Sequence, residues 1–121
     1  MDKFNIKDSH PNISRLEKLF LEEGVLTKFK KNEYLVRQNE KTKQIGFIMS
    51  GMFRLSHIDA DANEWIVGYS FVNDFVCDYP SFIKQATSTV NIQATTECEV
   101  YLLSLNHVCR DIPTLIRLLL R

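Results

Sequence analysis

Residues 44–58 read QIGFIMSGMFRLSHI. Two apolar runs of strand length follow each other directly, QIGFIMS over 44–50 and MFRLSHI over 52–58, and both are rich in β-branched and aromatic residues. The same texture extends in both directions: VLTKF (25–29), EYLVRQ (33–38), EWIVGYSF (64–71), STVNIQAT (88–95) and CEVYLLS (98–104). Turn-like NEKTK, DADAN and TTE separate them. Short strands at regular spacing with turn signals between them predict a sandwich or barrel of antiparallel strands.

Ahead of this β region, Ser9 to Glu23 has a cap residue in Ser9, Pro11 in the first turn, and Ile13, Leu16, Leu19 and Phe20 at helical spacing, with Gly24 as a C-cap. This predicts one amphipathic helix. After it, Leu105 to Arg110 and then DIPTLIRLLLR (111–121) return to helical character. Ile112, Leu115, Ile116, Leu118, Leu119 and Leu120 cover more than one face, so that helix is expected to pack on the barrel or on another chain.

At 121 residues the sequence suits a single core. Lys and Arg number 15, Asp and Glu 15, and no stretch gathers the basic residues, which argues against nucleic acid or an anionic membrane as a direct partner. The opening MDKFNIKDSH has no apolar signal region and no run approaches a membrane span, so a cytoplasmic location is expected. Cys77, Cys98 and Cys109 form no CxxC pair, which fits reduced thiols and neither a disulfide framework nor a zinc site.

No enzyme signature is present: no nucleophile triad order, no GxxxxGK[ST] phosphate loop and no HExxH. His10, His57 and His107 stand far apart, so a metal-binding His-x-His pair is missing, and no metal or other cofactor is expected. His57 reads as a surface or half-buried strand residue. Trp65, Val67 and Tyr69 alternate along one strand and Phe47 and Met49 along another, and all are expected to pack inside the barrel.

The order helix, about eight short strands, then helices resembles the cyclic-nucleotide-binding sensor domain of Crp/Fnr-type bacterial transcription regulators. The resemblance is carried over residues 25–107 by KKNE (30–33), RQNE (37–40), FIMSG (47–51), NDF (73–75) and ATTECEV (94–100). It implies a mainly β, α+β fold: a jelly-roll barrel (double-stranded β-helix) over 25–105, an N-terminal helical segment over 1–24, and the start of a dimerisation helix within 106–121. It also implies a homodimer through that helix, and DNA binding only through a helix-turn-helix domain absent from this chain. The N-terminal 24 residues contain no cysteine, so the iron–sulfur cluster of Fnr-type relatives is not expected.

Asn32, Asn39 and Asn73 stand where the family has turn glycines. Asn is among the few other residues that tolerate positive φ, so the turns are expected to survive.

The resemblance places a ligand cassette over CDYPSFIKQATST (77–89). In relatives a Gly-Glu pair opens the cassette and holds a ribose hydroxyl, and an Arg-Ser or Arg-Thr pair closes it and grips the cyclic phosphate. Here the pairs are Cys77-Asp78 and Ser88-Thr89, and these four residues with Tyr79 are the candidate ligand contacts. A guanidinium meets a phosphate with two charge-assisted hydrogen bonds, which a serine cannot replace. Asp78 would repel the phosphate, Pro80 removes one helix-start N–H, and Lys84 is the only cation in the segment. Asp78 and Pro80 also suit plain helix initiation, with Asp78 as N-cap. Cys77 reads as a buried free cysteine. The expected function is a sensor domain that does not bind cAMP in the usual way. The alternatives are a ligand-free structural and dimerisation module with a vestigial cassette, or a sensor of a non-nucleotide small molecule.

Overall fold

The computed structural model describes residues 5–6, 11–78, 81, 84 and 86–104. Its elements in chain order are β1 (Asn5–Ile6), α1 (Pro11–Glu23), β2 (Val25–Phe29), β3 (Tyr34–Val36), β4 (Gln44–Ser50), β5 (Phe53–Ile58), β6 (Glu64–Ser70), β7 (Phe75–Val76), β8 (Asn91–Ala94) and β9 (Cys98–Ser104). Three of the runs expected from sequence, 25–29, 44–50 and 98–104, are strands over those same residues. EYLVRQ shortens to Tyr34–Val36 and STVNIQAT to Asn91–Ala94, and the two-residue strands β1 and β7 were not anticipated. The expected Ser9 cap, Tyr79, Pro80, Cys109 and the helices beyond residue 104 lie outside the described residues.

The strands form two sheets, one of order β1-β7-β4-β9-β2 and one of order β3-β8-β5-β6, and the pairings among the described strands are antiparallel. Chain neighbours repeatedly fall in opposite sheets, β4 and β5 among them, which makes a jelly roll of the kind expected from the sequence.

Period-two side-chain alternation builds the interior. Cys98, Val100 and Leu102 of β9 point inward with Ile48, Val76, Phe53, Leu55, Ile92 and Ala94, and all of these are buried. Gly46 belongs to the same inner face: a Cβ there would meet Val100 Cγ1 at 2.7 Å. The opposite face of β4 carries Ile45 and Phe47, also buried. Helix α1 covers that face, where the Phe20 ring lies edge-on to Phe75 at 5.2 Å and 6.4 Å from Phe47. Phe47 is therefore buried beneath the helix rather than between the sheets.

Helix α1 ends at Glu23 and Gly24 follows it as the C-cap, as expected. The Gly24 amide donates to the Phe20 carbonyl at 2.9 Å, continuing the helical pattern, and no left-handed conformation is found there. Close approach explains the glycine instead, because a Cβ would lie 2.5 Å from the Phe20 carbonyl oxygen and 3.1 Å from Tyr101 Cβ.

The three asparagine turns share one geometry. Asn32, Asn39 and Asn73 have φ of 75°, 72° and 71°. In each, the amide after the Asn donates to the carbonyl three residues back: Glu33 to Lys30, Glu40 to Arg37 and Asp74 to Phe71, all at 3.0 Å. The following carboxylate then reaches back to the first amide, Glu33 to Lys30 at 2.6 Å, Glu40 to Arg37 at 3.0 Å and Asp74 to Phe71 at 2.7 Å. Positive φ at the third turn position is the requirement that normally selects glycine, and Asn meets it at low cost.

The edge strand β6 departs from expectation. Trp65 is 59% exposed, Val67 39% and Tyr69 37%, and Met49 of β4 is 39% exposed. Interior packing was expected for all four. A bulge where Leu55 and Ser56 face Gly68 and Ile66 breaks the alternation of β6, and the strand sits at the end of its sheet. Among the described residues no helix is long and apolar enough to cross a membrane.

Candidate functional site

The cassette leaves the core at β7. Phe75 and Val76 pair with Phe47 and Gly46 of β4, which places Cys77 and Asp78 at the rim of the five-stranded sheet. Both are buried, at 1% and 2% exposure. The Cys77 thiol donates to the Gln44 carbonyl at 3.6 Å. Burial, and then the neighbouring Asp78 charge, raise its pKa well above the ordinary thiol value, so it rests as a protonated core residue and not as a reactive thiolate.

Asp78 is fully engaged by the chain itself. Its Oδ1 accepts from the Ser81 amide at 3.3 Å, the N-cap contact expected from the sequence, and Ser81 and Lys84 are helical. Its Oδ2 accepts two bonds from Thr89, from the amide at 2.9 Å and from Oγ1 at 2.7 Å. The carboxylate that opens the cassette thus bonds the residue that closes it, eleven positions further on.

Ser88 is equally committed. It is 1% exposed. Its Oγ donates to the Val90 carbonyl at 2.8 Å and accepts from the Val90 amide at 3.2 Å. Its backbone is stitched to the RQNE turn: Ser88 N–H donates to the Glu40 carbonyl at 2.7 Å, and Asn39 N–H to the Ser88 carbonyl at 2.8 Å. Thr42 N–H to the Ala86 carbonyl at 3.2 Å and a Lys41–Thr87 bridge extend this ladder.

Of the candidate residues, then, the structure brings Asp78 and Thr89 together directly, seats Ser88 beside them with its side chain turned to Val90, and buries Cys77 against Gln44. Tyr79 lies outside the described residues. Lys84, the only cation in the segment, is exposed.

Two participants have no linear signal. His57, half-buried on β5 and 32 residues before Thr89, has its Nδ1 2.8 Å from the Thr89 carbonyl oxygen. A carbonyl only accepts, so Nδ1 carries the proton. Gln38 brackets Ile58, donating from Nε2 to its carbonyl and accepting its amide on Oε1, each at 2.8 Å, while its own amide donates to Asn91 Oδ1. These contacts tie the cassette's exit and the RQNE turn to the end of β5. Such pairings depend on strand register, which residue spacing alone does not reveal.

Among the described residues no group of His, Cys, Asp and Glu is placed to hold a metal ion. The chain belongs to the cyclic nucleotide-binding domain family, whose family model matches residues 26–110. No curated protein matches it significantly in sequence.

Solved structures share its fold. The c-di-GMP-responsive global regulator CLP of Xanthomonas campestris is 18% identical, with a TM-score of 0.71 over 88% of this chain and 55% of its own. The sensor domain of the transcriptional regulator DNR from Pseudomonas aeruginosa is 18% identical, with a TM-score of 0.68 over 87% of this chain and 71% of its own. A regulatory subunit of a cAMP-independent protein kinase A from Trypanosoma cruzi, bound to guanosine, is 21% identical, with a TM-score of 0.70 over 78% of this chain and 34% of its own. The chain thus spans about a third of the kinase subunit and about half of CLP.

Proposed function

We propose that this chain is the sensor domain of a Crp/Fnr-type transcription regulator and that its effector is not a cyclic nucleotide held by its phosphate. It is read as regulatory, with no catalytic step of its own. A dimerisation helix within 106–121 and a DNA-binding domain elsewhere in the same regulator would carry the output, in a soluble, cytoplasmic homodimer.

One observation carries this reading. At the two cassette positions where relatives bind ribose and phosphate, Asp78 and Ser88 are buried and spend their polar atoms on Ser81, Thr89 and Val90. An incoming phosphate diester would meet a carboxylate and no guanidinium. Losing charge-assisted bonds worth about 1.5–3 kcal/mol each lowers affinity by more than tenfold. The guanosine-bound kinase subunit, described as cAMP-independent, indicates that this fold can hold an uncharged nucleoside.

The second reading, a ligand-free structural and dimerisation module, is favoured by the same internal satisfaction of the cassette. Amide chemical-shift mapping separates the two. Shifts confined to residues 76–91 with guanosine or another neutral ligand, and none with cAMP, support a sensor. No shifts with any member of a neutral-metabolite panel support the module, and shifts with micromolar cAMP contradict both.

A further inference from the structure

We infer that Trp65, His57 and Gly68 form a subsite on β5 and β6 for a planar aromatic ligand that donates an N–H and carries no negative charge. The inference rests on the reading of the domain as an effector sensor and names the chemical class that this part of the barrel would take.

Strand register brings the three residues together. Leu55 faces Gly68 and His57 faces Trp65 across the β5–β6 pair, so all four share one side of the sheet, the side that Leu55 turns to the core. Gly68 and Trp65 are three positions apart, and in a regular strand they would lie on opposite sides. The bulge leaves Val67 without an opposite number, takes up the odd residue and re-aims Trp65. Trp65 nevertheless stays 59% exposed, one pair beyond the fully buried Leu55.

Each member then supplies a different contact. Trp65 Nε1 donates to Asp59 Oδ2 at 2.8 Å, which fixes the indole by its polar edge and leaves ring surface for stacking. His57 Nδ1 donates to the Thr89 carbonyl at 2.8 Å, so Nε2 of the neutral ring is an acceptor. Among the described residues that nitrogen has no hydrogen-bond partner. Positive φ is found at Gly51 and not at Gly68, so no backbone demand accounts for a glycine inside β6. A strand glycine of this kind marks the close approach of a ligand or of another backbone. Here it leaves the place beside Trp65 without a side chain.

The surrounding charge narrows the ligand. Residues 57–71 include Asp59, Asp61 and Glu64 and neither Lys nor Arg. Arg54 faces Tyr69, one residue out of step with Leu55, and so belongs to the other side of the sheet. An anion would meet like charge and no cation. A flat ring with an N–H can stack on Trp65 and donate to His57 Nε2.

Nuclear magnetic resonance of the full chain with indole, 1-methylindole and indole-3-acetate as probes tests this. Trp65 is the sole tryptophan, so one indole N–H resonance reports the stack, and the His57 ring nitrogens report the hydrogen bond. Indole at millimolar concentration is expected to shift both saturably. The probe without a donor and the probe with a carboxylate should each bind about fivefold more weakly or worse. Trp65→Leu should weaken indole about tenfold, read at the His57 and Gly68 amides, while the β4 and β9 amides stay in place and show the fold intact. No saturable shift at Trp65 and His57 with indole, or equal binding of indole and 1-methylindole, overturns the subsite. A Trp65 resonance that follows protein concentration instead of probe concentration makes this face a contact between copies and also overturns it. Guanosine shifts at residues 76–91 that leave Trp65 and His57 unmoved overturn the subsite while the sensor reading stands.

Discussion

The Ser88 amide donates to the Glu40 carbonyl at 2.7 Å, which makes Ser88 part of a backbone ladder to the RQNE turn. Its hydroxyl is turned into the chain, toward Val90. Replacing it tests whether the position is now structural. Ser88→Ala removes two buried hydrogen bonds and is expected to cost about 1 kcal/mol in urea unfolding. Ser88→Arg forces a guanidinium into a site of 1% exposure and is expected to cost about 2 kcal/mol or more. A stable Arg variant would place this position facing an open pocket.

The left-handed turn residues give a graded prediction, since Asn32, Asn39, Asn73 and Ala62 all have φ between 65° and 75°. The first three are asparagines and tolerate the region, whereas Ala62 carries a Cβ penalty of about 1–2 kcal/mol. Ala62→Gly removes it, partly offset by the extra freedom of glycine in the unfolded chain, for a net gain of roughly 0.5–1 kcal/mol. Asn73→Gly should be nearly neutral, and Asn73→Val should destabilise by more than about 1 kcal/mol. Thermal denaturation of the three variants ranks them.

Asp59 organises the tip of the β5–β6 connection. Its Oδ2 accepts from Trp65 Nε1 at 2.8 Å, and Oδ1 from the Asp61 and Asn63 amides at 2.9 and 3.0 Å. The indole bond above all, with the Asn63 amide next, lowers its pKa. The folded value therefore lies below the unfolded one. The stabilisation is fully present above the ordinary carboxylate range and is lost as pH falls through the depressed value. Trp65 is the sole tryptophan, so its fluorescence reports the event directly. A titration midpoint below the usual aspartate value is expected, and Asp59→Asn should abolish that transition.

Phe20 is the anchor of α1, with 0% exposure and rings of Phe75 and Phe47 around it. Phe20→Ala is expected to cost about 3–5 kcal/mol, the range for aromatic truncation in a core. The loss should appear as a lower denaturant midpoint. Because Phe75 immediately precedes Val76 and the cassette, exchange near Asp78 should rise with it.

Much of the fold was legible because its signals are local. The runs at 25–29, 44–50 and 98–104 carry β-branched and aromatic residues between turn signals, and the Asn turns follow from the φ that each turn type demands. Strands β1 and β7 were missed because two residues give no periodicity. The exposure of Trp65, Val67 and Tyr69 was misread because alternation reports which residues share a face, not whether a second layer covers that face. In the cassette, the N-cap role of Asp78 was readable from residue type. The Asp78–Thr89 and His57–Thr89 bonds were not, since they depend on how the two sheets bring distant residues together.

The central claim is that the cassette has lost its grip on a cyclic phosphate, and isothermal titration calorimetry of the chain with cAMP and with cGMP tests it most directly. No binding heat is expected from either nucleotide at micromolar concentrations. A dissociation constant in the micromolar range or tighter for either one would contradict it.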